Sequence, residues 1–86
     1  MRIAGRGTLQ FWQLYRALPP EVRTVARKNN RPWQINAFHP SLHFKSIGQL
    51  NWSVRIGDHH RGFGRFIDDV FVWEWIGSHA DYDKRF

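Results

Sequence analysis

The stretch Trp52-Ser53-Val54-Arg55-Ile56-Gly57-Asp58-His59-His60-Arg61-Gly62-Phe63-Gly64-Arg65-Phe66-Ile67-Asp68-Asp69-Val70-Phe71-Val72-Trp73-Glu74-Trp75-Ile76 decides the fold. Its aromatic and β-branched runs, Trp52–Ile56, Arg61–Ile67 and Val70–Ile76, read as strands. Gly57-Asp58 and Asp68-Asp69 separate them, the second pair being short enough for a tight hairpin. Leu42–Ile47, ended by Gly48, reads as one more strand upstream. Connections this short make neighbouring strands antiparallel. Alternation sends Trp52, Val54 and Ile56 to one side and Ser53 and Arg55 to the other, while Arg61, Phe63 and Arg65 share a face, so one side of the sheet should be cationic.

The residues before the sheet read as helix. Thr8 is a candidate N-cap for a helix through Leu18, with Phe11, Leu14, Tyr15 and Leu18 on one side. Pro19-Pro20 ends it, and Pro20 then opens a second helix with Glu21 in its first turn and Val22, Val25 and Ala26 facing the core. Arg31-Pro32 predicts a break or kink, because proline removes a helical donor and disfavours α conformation in its predecessor. After the last strand, closed by Gly77, Ser78 is positioned to cap a short helix over Ala80–Phe86. The expectation is an α+β fold: two N-terminal helices packed on a four-stranded antiparallel sheet, with a short C-terminal helix, in a single domain spanning residues 1–86.

Composition narrows the partner class. Eighty-six residues with no cysteine exclude a disulfide scaffold and thiolate zinc sites. Five Trp and seven Phe must supply much of a small core. The first seven residues lack the apolar stretch of a secretory signal, and no run approaches the ~18 apolar residues of a membrane span. The expectation is a soluble, cytoplasmic protein with no membrane partner. The net charge of +6 points to a polyanion. It is concentrated in residues 1–46, where Arg2, Arg6, Arg16, Arg23, Arg27, Lys28, Arg31 and Lys45 oppose only Glu21.

The blocks His39-Pro40-Ser41-Leu42-His43-Phe44-Lys45, Trp52-Ser53-Val54-Arg55-Ile56, Asp58 to Arg61, and Val72-Trp73-Glu74-Trp75-Ile76-Gly77-Ser78-His79-Ala80-Asp81-Tyr82-Asp83, with the Pro19-Pro20-Glu21 junction, resemble the RelE/ParE superfamily of toxins from type II toxin–antitoxin systems. The likeness spans roughly residues 8–86. It departs from the family pattern at His60, Pro32 and Asp68-Asp69. The resemblance implies a toxin, monomeric within a complex with a cognate antitoxin, that inhibits translation by ribosome-dependent cleavage of messenger RNA. The alternatives it leaves open are a ParE-like inhibitor of DNA gyrase and a catalytically inactive module that binds RNA or antitoxin. In its terms Arg61 matches the arginine of the third strand, Arg55 and Lys45 match basic positions on earlier strands, and His79 and Tyr82 fall in the segment after the last strand.

Metal-free RNA cleavage needs a base for the 2′-hydroxyl, cations for the phosphate and an acid for the departing 5′-oxygen. Arginine can clamp phosphate through two donors but cannot act as base. Arg61, His79, Tyr82 and Arg55 are therefore the candidate catalytic set, with imidazole the natural acid or base and phenol suited to acid work or base stacking. Lys45, Arg65 and the helical row Arg23, Arg27 and Arg31 are the candidate nucleic-acid contacts. Blander roles compete: arginines paired with Asp58 or Asp69, His79 as a helix cap, Tyr82 packed on the sheet edge, and the helical row as a solvated face. No cofactor is implied. Five histidines suggest a metal, yet Pro40 denies His39 and His43 a helix and no third ligand stands at a recognised interval, so no metal site is assigned.

Overall fold

The computed structural model describes residues 4–48 and 50–85. Strand β1 (Ala4–Gly7) leads into helix α1 (Leu9–Arg16) and helix α2 (Pro20–Ile35); a single 3₁₀ turn (Pro40–Leu42) precedes β2 (Lys45–Gly48), β3 (Asn51–Ile56), β4 (His60–Ile67), β5 (Val70–Ser78) and helix α3 (His79–Arg85). The five strands form one sheet in the order β1-β5-β4-β3-β2. The class is α+β, as expected, but the sheet is mixed and has one strand more than the four read from the sequence, because β1 adds to the edge parallel to β5.

Ala4-Gly5-Arg6-Gly7 carries no residue with strand preference, so no sequence pattern announces β1. Space does instead. Gly5 and Gly7 pass directly over the aromatic core, where a Cβ on Gly7 would stand 2.6 Å from the Phe11 ring and one on Gly5 3.3 Å from Trp33. Glycine lets the backbone close the sheet edge where a side chain at Gly7 would collide and one at Gly5 would crowd Trp33.

Thr8 caps α1 as expected, its hydroxyl accepting from the Phe11 amide at 3.1 Å. The predicted break at Pro32 does not occur. Helix α2 runs through it to Ile35, and the Asn36 amide bonds the Pro32 carbonyl at 2.7 Å. Proline costs a helix interior about 3 kcal/mol. The adjacent Trp33 is 1 % exposed, and a buried tryptophan is worth about 3–5 kcal/mol relative to alanine, enough to hold the last turn in place. Trp33 meets Phe44, Phe71 and Trp73 with ring centres 5.7, 5.2 and 5.0 Å apart. Around it Phe11, Leu42, Val54, Ile56 and Ile76 complete the core between the helices and one face of the sheet.

The strand expected over residues 42–47 starts later. Pro40 initiates the 3₁₀ turn, His43 adopts a left-handed φ of 46°, and pairing begins only at Lys45. At the other end β5 runs past Ile76 to Ser78, because His60 and Ser78 pair. The Ser78 hydroxyl then accepts from the Asp81 amide at 3.1 Å and caps α3, whose expected last residue, Phe86, lies outside the described residues.

One irregularity controls which tryptophan goes where. Phe63 pairs with Trp75 but Gly64 pairs with Trp73, leaving Glu74 as an extra residue in β5. A regular strand would put Trp73 and Trp75 on one face. The bulge instead sends Trp73 to the helix-covered face with Gly64 and Trp75 to the opposite face with Phe63. Among the described residues no helix is long and apolar enough to cross a membrane.

Candidate functional site

The sheet face turned away from α1 and α2 carries the candidate site. Register places its side chains in rows. Lys45 pairs with Ser53, Ser53 with Phe63 and Phe63 with Trp75; one step along the strands, Arg55 pairs with Arg61 and Arg61 with Gly77. The cationic face read from alternation is present, and α3 folds back against one end of it.

Arg61 occupies the middle of that end. Its guanidinium carbon lies 5.6 Å from the centre of the Tyr82 ring on α3. Its Nη1 is buried without a hydrogen-bond partner, as is the Ser53 hydroxyl oxygen on the same face. A buried donor left unpaired costs about 1–3 kcal/mol, more for a charged group. Tyr82 also packs against Trp75, ring centres 6.1 Å apart.

His79 begins α3. Its amide donates to the His59 carbonyl at 2.7 Å, its ring lies 6.5 Å from that of Tyr82, and its Nε2 stands 3.4 Å from the Asp83 carboxylate. Arg55 is engaged on three sides: Nε donates to the Gly57 carbonyl at 2.9 Å, Nη2 to Asp58 at 2.7 Å, and Nη1 lies 3.4 Å from His43 Nε2. Arg65 pairs with the bulged Glu74 at 3.2 Å. Lys45 is exposed on β2.

The structure thus brings Arg55, Arg61, His79 and Tyr82 to one end of one face, with Lys45 and Arg65 farther along it. It does not bring the helical row there. Arg23 donates to the Arg16 carbonyl at 3.2 Å, Arg27 to the Tyr15 hydroxyl at 3.1 Å, and Arg31 is exposed, all on α2 in the opposite layer. His43 is the residue that sequence reasoning set aside. The signal for it was simple alternation, since carrying the Lys45–Ser53 register back two residues sets His43 opposite Arg55.

His60 points to the other side, with Ile56. Burial lowers its pKa below the usual 6.5, helped by neighbouring His59 and opposed by Glu21. Among the described residues no group of three or more His, Asp or Glu side chains is arranged to hold a metal.

No family model matches the chain, and no curated protein matches it in sequence. Solved structures do match. A chain of the RelB–RelE antitoxin–toxin complex from Methanococcus jannaschii superposes with a TM-score of 0.75 at 14% identity, covering 93% of this chain and 96% of its own. A chain of the RelBE2 toxin–antitoxin complex from Mycobacterium tuberculosis gives 0.75 at 14% identity, with 92% and 100% covered. YafQ from E. coli gives 0.65 at 12% identity, with 94% and 98% covered. The protein has the RelE fold, and at these identities the likeness speaks for the fold alone.

Proposed function

We propose that this chain is the toxin of a toxin–antitoxin pair, acting in the cytoplasm by cutting messenger RNA on the ribosome without a metal ion. The observation that carries the reading is Arg61, which pairs with Arg55 across β3 and β4, lies over the Tyr82 ring and keeps one guanidinium nitrogen without a hydrogen-bond partner, with His79 on the same short helix as Tyr82. The fold supports it, since two of the matched structures are antitoxin–toxin complexes. A cognate antitoxin is accordingly the protein partner, and the ribosome with its message the target.

The chemistry follows from the side chains. Attack of a ribose 2′-oxygen on its own 3′-phosphate builds charge on the phosphoryl oxygens and on the leaving 5′-oxygen. Arg61 and Arg55 offer fixed donors to the first. In this reading His79 transfers the proton, and Tyr82, whose ring lies against Arg61, offers a surface to a base. Lys45 and Arg65 bind flanking phosphates, while Arg23, Arg27 and Arg31 meet ribosomal RNA from the opposite layer.

Induced expression followed by mapping of RNA 5′ ends tests this. The expected result is growth arrest with new transcript ends, abolished by Arg61→Ala plus His79→Ala in a protein whose circular dichroism is unchanged. Arrest with damaged DNA and intact transcripts would point to gyrase and end the nuclease reading. The pairing of Arg55 with Asp58 and of Arg65 with Glu74 favours one other reading, a face that binds RNA without cutting it; expression without arrest would select that one.

A further inference from the structure

Behind the sheet, on the side away from Arg61, β1, α1, α2 and the strands enclose a cavity of about 500 Å³. We propose that this cavity binds a small aromatic carboxylic acid, with its rings among five side-chain rings and its carboxylate at Arg27. The proposal goes beyond the nuclease reading and does not depend on it.

Size and lining set the class of ligand. Pockets that bury small organic molecules run from roughly 300 to 1,000 Å³, are mostly apolar and carry a few polar groups that fix orientation. Here the floor is the back of β3 and β4, where alternation turns Val54, Ile56 and Gly62 away from Arg55 and Arg61. The wall is a succession of rings. Tyr15 meets Trp12 with centres 5.4 Å apart, Trp12 meets Phe11 at 5.1 Å, Phe11 meets Trp73 at 6.2 Å, and Trp73 meets Trp33 at 5.0 Å. All five line the cavity. Phe11 and Trp33 are buried at its inner end, whereas Trp12 keeps 42% of its surface exposed at the mouth. Flat ligand rings find edge-to-face and offset partners along such a wall. A peptide strand does not suit it, because backbone N–H and C=O groups laid against these rings would lose their hydrogen bonds.

Arg27 sets the charge. Three arginines border the cavity, but two of them turn away from it. Arg55 is engaged by Asp58 on the opposite face, and Arg6 alternates with Gly5 and Gly7, whose Cβ positions face the rings. Arg27 reaches the mouth, where Nη1 donates to the Tyr15 hydroxyl at 3.1 Å and Nη2 to the Thr24 hydroxyl at 3.4 Å. Both acceptors are neutral. Among the described residues no Asp or Glu lines the cavity and none pairs with Arg27, so the guanidinium keeps its charge uncompensated and has donors left for an anion. Asn29 and Asn30, on the same helix, add amides to the lining. One guanidinium fork matches one planar carboxylate. The doubly charged phosphate of a nucleotide would leave charge unmatched beside the rings.

The test titrates the whole protein with naphthylacetate, with its uncharged primary amide and with naphthylmethylammonium, followed by calorimetry and tryptophan fluorescence. The acid should bind saturably, one to one, and the amide at least about tenfold more weakly, the scale of losing a charge-assisted hydrogen bond. Arg27→Gln should bind acid and amide equally with unchanged circular dichroism. Ala26→Phe, which fills the cavity from α2, should bind neither; if that variant fails to fold, the comparison of acid with amide in Arg27→Gln still decides. Arg61→Ala should bind the acid as the parent does, because the cationic face lies across the sheet. Acid and ammonium binding equally well, or an acid affinity that falls with Arg61→Ala and not with Arg27→Gln, would overturn the proposal. So would the absence of saturable binding by all three compounds, which would leave the cavity to the side chains of a partner protein and the nuclease reading untouched.

Discussion

Arg61 is held by an aromatic ring rather than by a carboxylate. Tyr82 supports the guanidinium from one side, yet Nη1 keeps no partner, so the group is oriented without being neutralised. A lysine there would keep the charge and lose the planar fork. Arg61→Lys is therefore expected to cut turnover by about 10²–10³-fold, the scale for losing one preorganised donor at a developing anion, with little change in circular dichroism; a variant within a few-fold of the parent would remove Arg61 from the chemistry. His60 carries a different prediction. Its folded pKa is lowered by burial while the unfolded chain titrates near 6.5. Between those values the unfolded state binds more protons, so the stability His60 supports is complete above about pH 6.5 and is lost as pH falls toward the folded value. Urea midpoints at pH 7.5 and 5.5 should differ more for the parent than for His60→Gln, and equal differences would show that His60 is not responsible.

At the scale of elements, the bulge at Glu74 separates two jobs that one regular strand could not do. Trp73 enters the core while Trp75 supports Tyr82 on the other face. Gly64 makes the crossing possible, since a Cβ there would overlap the Val72 carbonyl and stand 2.5 Å from the Phe71 ring. Gly64→Ala should therefore lower stability by about 1–3 kcal/mol, the usual cost of overfilling a packed core, read as a lower denaturation midpoint. Much of this architecture was legible beforehand. Thr8, Pro20, the hairpin at Asp68-Asp69 and the alternation in β3 and β4 are local signals, and local signals were enough for α1, three strands and the cationic face. What was not legible depends on tertiary space. Gly5 and Gly7 form a strand because of rings brought in from α1 and α2, and Pro32 stays helical because Trp33 is locked among Phe44, Phe71 and Trp73. In the site, Arg55, Arg61, His79 and Tyr82 were named through the family resemblance and the chemistry of their side chains, whereas the contact between His43 and Arg55 joins residues twelve apart and became visible only with the strand register.

Over the whole molecule the candidate RNA-contacting cations fall in two opposite layers: Lys45, Arg55, Arg61 and Arg65 on the sheet, and Arg23, Arg27 and Arg31 on α2. The proposed reaction uses only the first set. Replacing the three α2 arginines with glutamine should weaken ribosome association and flatten its salt dependence while leaving the rate at saturating ribosomes unchanged; a fall in that rate with unchanged binding would place these arginines in the chemistry. The topology has its own consequence. Both outer partners of the site arrive late, because β5 must pair with β4 on one side and with β1 on the other, and Tyr82 follows β5. A nascent chain that has emerged only as far as β4 has the arginines but neither the phenol that orients Arg61 nor the imidazole of His79. The arginine pair is thus laid down before the segment that completes its surroundings exists, and the site forms only when the strand that closes the sheet has docked on both sides.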